Sequence, residues 1–413
     1  MTMPAASPPL MNSNPSRIAE LDVIRGLAIL GILLMNIFAF ANPPEYSHSL
    51  IWQPAISTLD IGLYNLQTML FSGRFLTLFN LLFGVSLLLI MEKYGEHYLQ
   101  RRLRWLVVFG LLHISFIWFG DILLWYALTG LLVLKQGYHK LDTAALWRKG
   151  VMLFTISLIM PAIFSLYLLL TPPPLQQPLD AEILLAQQLL WTGPYLAQLT
   201  ELLSLNLLML VGFVMTLYWL MAALMVFGMA LYKSGWFSQG YSRWRTRLLF
   251  LAALAISACT AALDHLTGYG YDLAIMLPWE QISALLMALA FASLLINARQ
   301  KPEVYHWLQR WLAPCGRMAF TLYLSQSLLM VLLFKVIKPD WFASLDRLSL
   351  LGIAIATIIL QLLFSRWYLQ HFAQGPLEWL WRRLSQQPVI GAEISLAETS
   401  QANTNATKDI EYK

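Results

Sequence analysis

The sequence predicts an all-α polytopic membrane protein: about ten transmembrane helices, an outer interfacial helix and a C-terminal amphipathic helix. Three observations carry this expectation. Apolar residues make up 58% of the 413 and charged residues only 12%, about half the ~25% charged share of a soluble domain. Apolar runs recur at the ~20 residues that a helix needs to cross a ~30 Å hydrocarbon core, and helices satisfy their own backbone groups, as lipid demands. Finally, lysine and arginine are sorted. All of the 27 except Arg74, Lys335, Lys338 and Arg347 fall in segments that alternating spans leave on one side, the cytoplasmic side by the positive-inside rule. The net charge of +5 is thus a topology signal, and no nucleic-acid partner is expected. A cytosolic enzyme and a secreted disulfide module are excluded. Cys259 and Cys315 lie in or beside apolar segments and suggest neither a disulfide framework nor a metal site.

Residues 1–16 are polar and proline-bearing and read as a disordered tail, not as a signal peptide. Spans are expected at 21–41, 75–91, 103–119, 121–135, 150–171, 205–232, 246–264, 279–297, 315–336 and 349–371. The third and fourth form a tight hairpin through Phe119-Gly120-Asp121. Residues 57–91 are too long for one span and are interrupted by Arg74; an interfacial helix at about 58–72 keeps the uncharged-by-base loop 42–57 outside. The loop 172–204 opens on three prolines, has no basic residue, and separates an N-terminal half (17–171) from a C-terminal half (205–388). Past Gly375-Pro376, tryptophans and arginines over 377–384 suit an amphipathic interfacial helix. Residues 389–413 read as a second disordered tail. Both termini then lie in the cytoplasm.

Ionisable groups inside a membrane are costly and point to function. On the first span Asp22, Arg25, Ile29, Ile32 and Asn36 share one face. Asp22 and Arg25, three apart, can pair, while Gly26, Ala28 and Gly31 admit close neighbours. His113 is the one histidine of seven well inside a span. A histidine moves protons near neutral pH, and a carboxylate can orient its ring. Asp121 across the hairpin is the candidate carboxylate, and Tyr126 could complete a polar cluster. Arg74, Arg317 and Gln326 are further candidates for holding a substrate or donor, since arginine offers phosphate or carboxylate a planar fork. The bland reading of all these groups is helix anchoring and interhelical bonding, which is also the reading for Asn80 and Gln361. Phosphate-loop, zinc-protease and nucleophile-elbow motifs are absent.

The run Leu21-Asp22-Val23-Ile24-Arg25-Gly26-Leu27-Ala28, followed by Asn36, resembles the opening of the YeiB family of bacterial inner-membrane proteins. Further landmarks are Phe109-Gly110-Leu111-Leu112-His113 with Gly120-Asp121, Gly316-Arg317-Met318-Ala319 with Gln326-Ser327, and Gly375-Pro376-Leu377-Glu378-Trp379. That family is distantly similar to transmembrane acyltransferases, including the acyltransferase-three group and lysosomal heparan-α-glucosaminide acetyltransferase. The resemblance implies acyl transfer from a cytoplasmic thioester, an acyl-CoA, to a small-molecule, glycan or lipid acceptor. In the acyltransferase-three group an arginine precedes a functional histidine by ten intervening residues. Arg25 matches that arginine, but Asn36 stands at the histidine position and cannot act as a base. The lysosomal enzyme also has asparagine there and uses a histidine in the following loop, where this chain has His48. Two function classes follow. In an acyltransferase, His113 or His48 is the base and Arg25 and Arg317 bind donor phosphates; in a transporter, the same polar groups line a path or relay protons.

Overall fold

The computed structural model describes residues 19–44, 57–171, 181–267 and 277–386. Among these residues the structure is helical and without strands. Each of the ten expected spans falls on helix. They are α1 (Ala19–Ala41), the two halves of α3 (Arg74–Phe116), α4 (Leu123–Lys135) and α5 (Thr143–Leu170), preceded by the short α2 (Thr58–Leu70). Then follow α6 (Ala181–Thr192), α7 (Tyr195–Gly212), α8 (Tyr218–Lys233), the single turn α9 (Trp236–Gln239) and α10 (Arg243–Thr267). The chain ends its described part with α11 (Pro278–Asn297), α12 (Pro302–Arg317), α13 (Ala319–Leu332), α14 (Arg347–His371) and α15 (Pro376–Ser385).

Eight helical stretches among the described residues are long and apolar enough to cross a membrane, the stretch 58–116 being counted once and α4 being shorter. That long stretch doubles back. Phe83 and Leu103 would be about 30 Å apart on a straight helix, yet both lie 3.2 Å from where a Cβ on Gly130 would sit. The reversal is at Gly95, whose φ of 79° and ψ of 174° suit a residue without a Cβ. The loop expected at 92–104 is therefore helix on either side of one glycine, because Glu, Lys, Gln and Arg favour helix as readily as they favour water. Two other expected loops are also helical. Residues 181–192 and 195–204 belong to α6 and α7, and 302–317 form α12. The α2 segment is capped by a reciprocal Ser57–Asp60 box and, at 13 residues, is as short as α4, about 20 Å. Residues 1–18, 45–56 with His48, 172–180, and 387–413 lie outside the described residues.

The two sequence halves interleave. Helix α1 packs against α12, α13 and α14, and α8 packs against α3 and α5. These two helices form the centre: α8 buries every side chain from Met221 to Leu231, and α1 buries Ile24, Ala28, Leu33 and Ile37. Large apolar side chains of α5, α7, α10 and α14, among them Ile163, Leu207, Leu251 and Leu360, face outward, as lipid contact requires. Helices α1 and α12 approach very closely, as do α3 and α8. A Cβ on Gly26 would overlap the Leu312 carbonyl, and one on Gly316 would overlap the Asp22 carbonyl. Two landmark glycines thus set the distance at which Arg25 and Arg317 face one cavity.

Candidate functional site

The turn between α3 and α4 brings His113 and Asp121 together. His113 Nδ1 lies 2.8 Å from Asp121 Oδ1, and both side chains are buried. The other carboxylate oxygen accepts the Leu124 amide at 3.0 Å, which caps the start of α4 and fixes the carboxylate plane. A carboxylate at Nδ1 favours the tautomer with its proton there and leaves the lone pair on Nε2. That nitrogen has no hydrogen-bond partner among the described residues. The third member of the cluster is Tyr323 of α13, not Tyr126. The Tyr323 hydroxyl accepts the Ile122 amide at 3.1 Å and donates to Asp121 Oδ1 at 3.4 Å. Tyr126 instead donates to the Leu76 carbonyl at 3.3 Å and lies against Phe79 and Phe83, because its face of α4 looks at the first half of α3. Sequence reasoning missed Tyr323; its signal was a polar helical face shared with Gln326 and Ser327.

Two cavities of about 330 Å³ each approach this cluster. One is lined by Arg25, Ser86, Arg102, Arg317, Glu378 and Trp381, and forms the basic end of the bundle. The other is lined by Asn36, Thr68, Arg74, Asn80, Glu280 and Gln281. Arg25 and Asn36 stand about 16 Å apart along α1, so one helix supplies both cavities. Ile32, Ile122 and Tyr323 line both. His113 and Asp121 line neither; they stand behind Tyr323.

At the basic end, Arg25 makes the expected pair with Asp22 at 3.3 Å and donates to Ser86 Oγ at 3.1 Å. Arg317 donates to the Ala373 carbonyl at 2.8 Å. Arg102, in sequence only one of several basic residues at the start of the third span, lies 3.7 Å over the Trp381 ring. The Trp381 indole in turn donates to the Arg102 carbonyl at 2.8 Å. Glu378 accepts the Phe320 and Thr321 amides at 2.8 and 3.0 Å and so caps α13. Burial pushes its carboxyl above the usual glutamate value, and the bonds from Thr321 and Phe320 partly offset this. The landmark around Gly375 therefore docks α15 on the helix that carries Tyr323.

In the opposite cavity Arg74 is fully buried and pairs with Glu280 at 3.1 Å, with further bonds to Ser283 at 3.0 Å and to Ser257. Glu280 was not legible as a partner, since an acid in the first turn of a helix is ordinary. Asn80 bonds the Leu76 carbonyl of its own helix at 3.1 Å, not a neighbouring helix as expected. Gln326 lines neither cavity. It joins Gln361 at 2.8 Å and the Ile29 carbonyl at 3.3 Å, holding α1, α13 and α14 together. Among the described residues no group of three or more His, Cys, Asp or Glu could hold a metal ion.

Fold and cavities together define an all-α, multi-pass membrane protein with two cavities that share Tyr323 and a buried His–Asp pair behind it. The chain belongs to the YeiB family. It is 33% identical over 377 residues to the protein of Escherichia coli (strain K12) named Uncharacterized protein YeiB, covering 89% of this chain and 96% of that one. It is 27% identical over 411 residues to Uncharacterized protein YxaH of Bacillus subtilis (strain 168), covering 94% and 98%. Residues 231–387 match the family described as Protein of unknown function (DUF418). No solved structure gives a significant match.

Proposed function

We propose that this protein is a membrane acyltransferase that moves an acyl group from a cytoplasmic thioester, an acyl-CoA, to an acceptor held in the opposite cavity. The observation that carries this reading is the meeting of the two cavities at Ile32, Ile122 and Tyr323, against the buried His113–Asp121 pair. Arg25, Arg102 and Arg317 give the basic end the planar donors that phosphates take. Asn36, Thr68 and the Arg74–Glu280 pair give the other cavity groups that bond hydroxyls. In this reading the basic end faces the cytoplasm of a bacterial inner membrane and both termini lie inside. In a Cys259→Ser background, Ser238→Cys is expected to resist a membrane-impermeant thiol reagent added to intact cells; labelling there would reverse the orientation.

Purified protein is expected to bind acetyl-CoA and to release free thiol from it. Arg25→Leu weakens donor binding about tenfold, the ~1.4 kcal/mol of one charge-assisted contact, and Arg25→Lys recovers only part because it lacks the fork. A wild-type protein that neither binds acetyl-CoA nor releases thiol would overturn the reading. A second reading is favoured by the same two cavities with a buried ionisable pair behind the Tyr323 they share: a transporter or transport-associated protein, in which His113 and Asp121 relay a proton. That protein leaves the thioester intact.

A further inference from the structure

Of the three residues that line both cavities, only Tyr323 carries a polar side-chain group. A phenol has one proton to donate and two lone pairs. In Tyr323 the proton points to Asp121 Oδ1 at 3.4 Å and one lone pair takes the Ile122 amide at 3.1 Å. One lone pair is left over. His113 and Asp121 line neither cavity, and the residue whose hydroxyl meets Asp121 lines both.

We infer that Tyr323 is the catalytic residue of the proposed acyl transfer, passing a proton from the acceptor hydroxyl to Asp121 and back to the departing thiolate. The inference rests on the acyltransferase reading. As the acceptor oxygen bonds to the thioester carbonyl carbon, its proton moves to the Tyr323 oxygen and the Tyr323 proton moves to the Asp121 carboxylate. Collapse of the tetrahedral intermediate breaks the carbon–sulfur bond, and the electron pair leaves with sulfur. The proton then returns from Asp121 through Tyr323 to that sulfur, giving an ester and a free thiol with no net change in the protein. The position of Tyr323 between the two cavities is what this step needs: the proton is collected on one side and delivered on the other. His113 is a positioning residue, holding the same Asp121 Oδ1 at 2.8 Å. Burial of the cluster keeps water from short-circuiting the relay.

The test uses the full chain in vesicles of phosphatidylethanolamine and phosphatidylglycerol, with acetyl-CoA as donor probe and a non-cleavable thioether analogue as binding probe. Tyr323→Phe is expected to lower thiol release by at least about 100-fold while changing analogue affinity less than about threefold. Replacing Tyr323 by 3-fluorotyrosine keeps the shape and makes the phenol more acidic, so the pH–rate profile is expected to move to lower pH. The fluorinated chain keeps the ring and hydroxyl that Tyr323→Phe removes, so that profile decides the matter if Tyr323→Phe proves unstable. Retention of more than a tenth of wild-type turnover by Tyr323→Phe, or an unmoved profile with fluorotyrosine, would overturn Tyr323 and leave the acyltransferase reading standing. Absence of thiol release by the wild type would instead overturn the reading and the inference with it.

Discussion

His113→Gln is expected to lower thioester turnover by about two to three orders of magnitude, with little change in donor affinity. Glutamine keeps an amide that can bond Asp121 but does not hold its Oδ1 with the rigid ring that now stands 2.8 Å away. Asp121→Asn should fall as far, because an amide cannot store the proton that Tyr323 delivers. The three residues are joined through one oxygen, Asp121 Oδ1, which meets His113 at 2.8 Å and Tyr323 at 3.4 Å. Groups that act as a unit are non-additive. The double variant His113→Gln/Tyr323→Phe should therefore turn over no more slowly than the worse single variant. Additive losses would mean that His113 acts elsewhere. The comparison with His48 settles which histidine matters. His48 is recommended by the likeness to the lysosomal enzyme, and His48→Gln is expected only to reduce turnover. Loss with His48→Gln and survival with His113→Gln would move the chemistry to that loop. Equal melting temperatures in the same detergent keep either result from being a folding defect.

The spans were legible because burial in lipid leaves a continuous apolar signal, and the His113–Asp121 contact was legible because a hairpin joins residues only eight apart. What escaped has a common physical cause. Charge suggests loop, yet the charged segments around Gly95 and in α12 (Pro302–Arg317) are helices, since long charged side chains cost a helix little. The three prolines that open 172–204 suggest loop as well, and they hide α6 and the start of α7. Tyr323 escaped because an aromatic within a span looks like packing. Only the fold brings it to Asp121, 202 positions away in sequence. Tyr126, nearer in sequence, spends its hydroxyl on a helix carbonyl. Proximity along the chain was the wrong guide where helices from both halves interleave.

The largest stability effect is expected at a pair no sequence pattern joins. Arg74→Leu leaves Glu280 buried with Ser257 and Thr260 as hydroxyl donors but without the guanidinium now 3.1 Å away. Removing one partner of a buried ion pair typically costs about 3–5 kcal/mol, because the remaining charge is uncompensated. A drop of several degrees in melting temperature, read in detergent, should follow. Arg74→Lys should recover only part, since an ammonium in the place of Nη2, beside Glu280, Ser257 and Ser283, gives up the Nη1 bond to the Ser72 carbonyl. The decisive variant is Arg74→Leu/Glu280→Leu, which removes both charges. It should regain most of the lost stability, as apolar replacements of whole buried pairs do. Function separates from stability at this point. Both residues line the cavity assigned to the acceptor and neither lines the basic end. The double variant should therefore bind the thioether analogue of acetyl-CoA as the wild type does while losing transfer to an acceptor. A double variant as unstable as Arg74→Leu would mean that the pair is not the source of the loss. A stable one with undiminished transfer would remove the pair from acceptor binding and leave it a structural cross-link between α3 and α11.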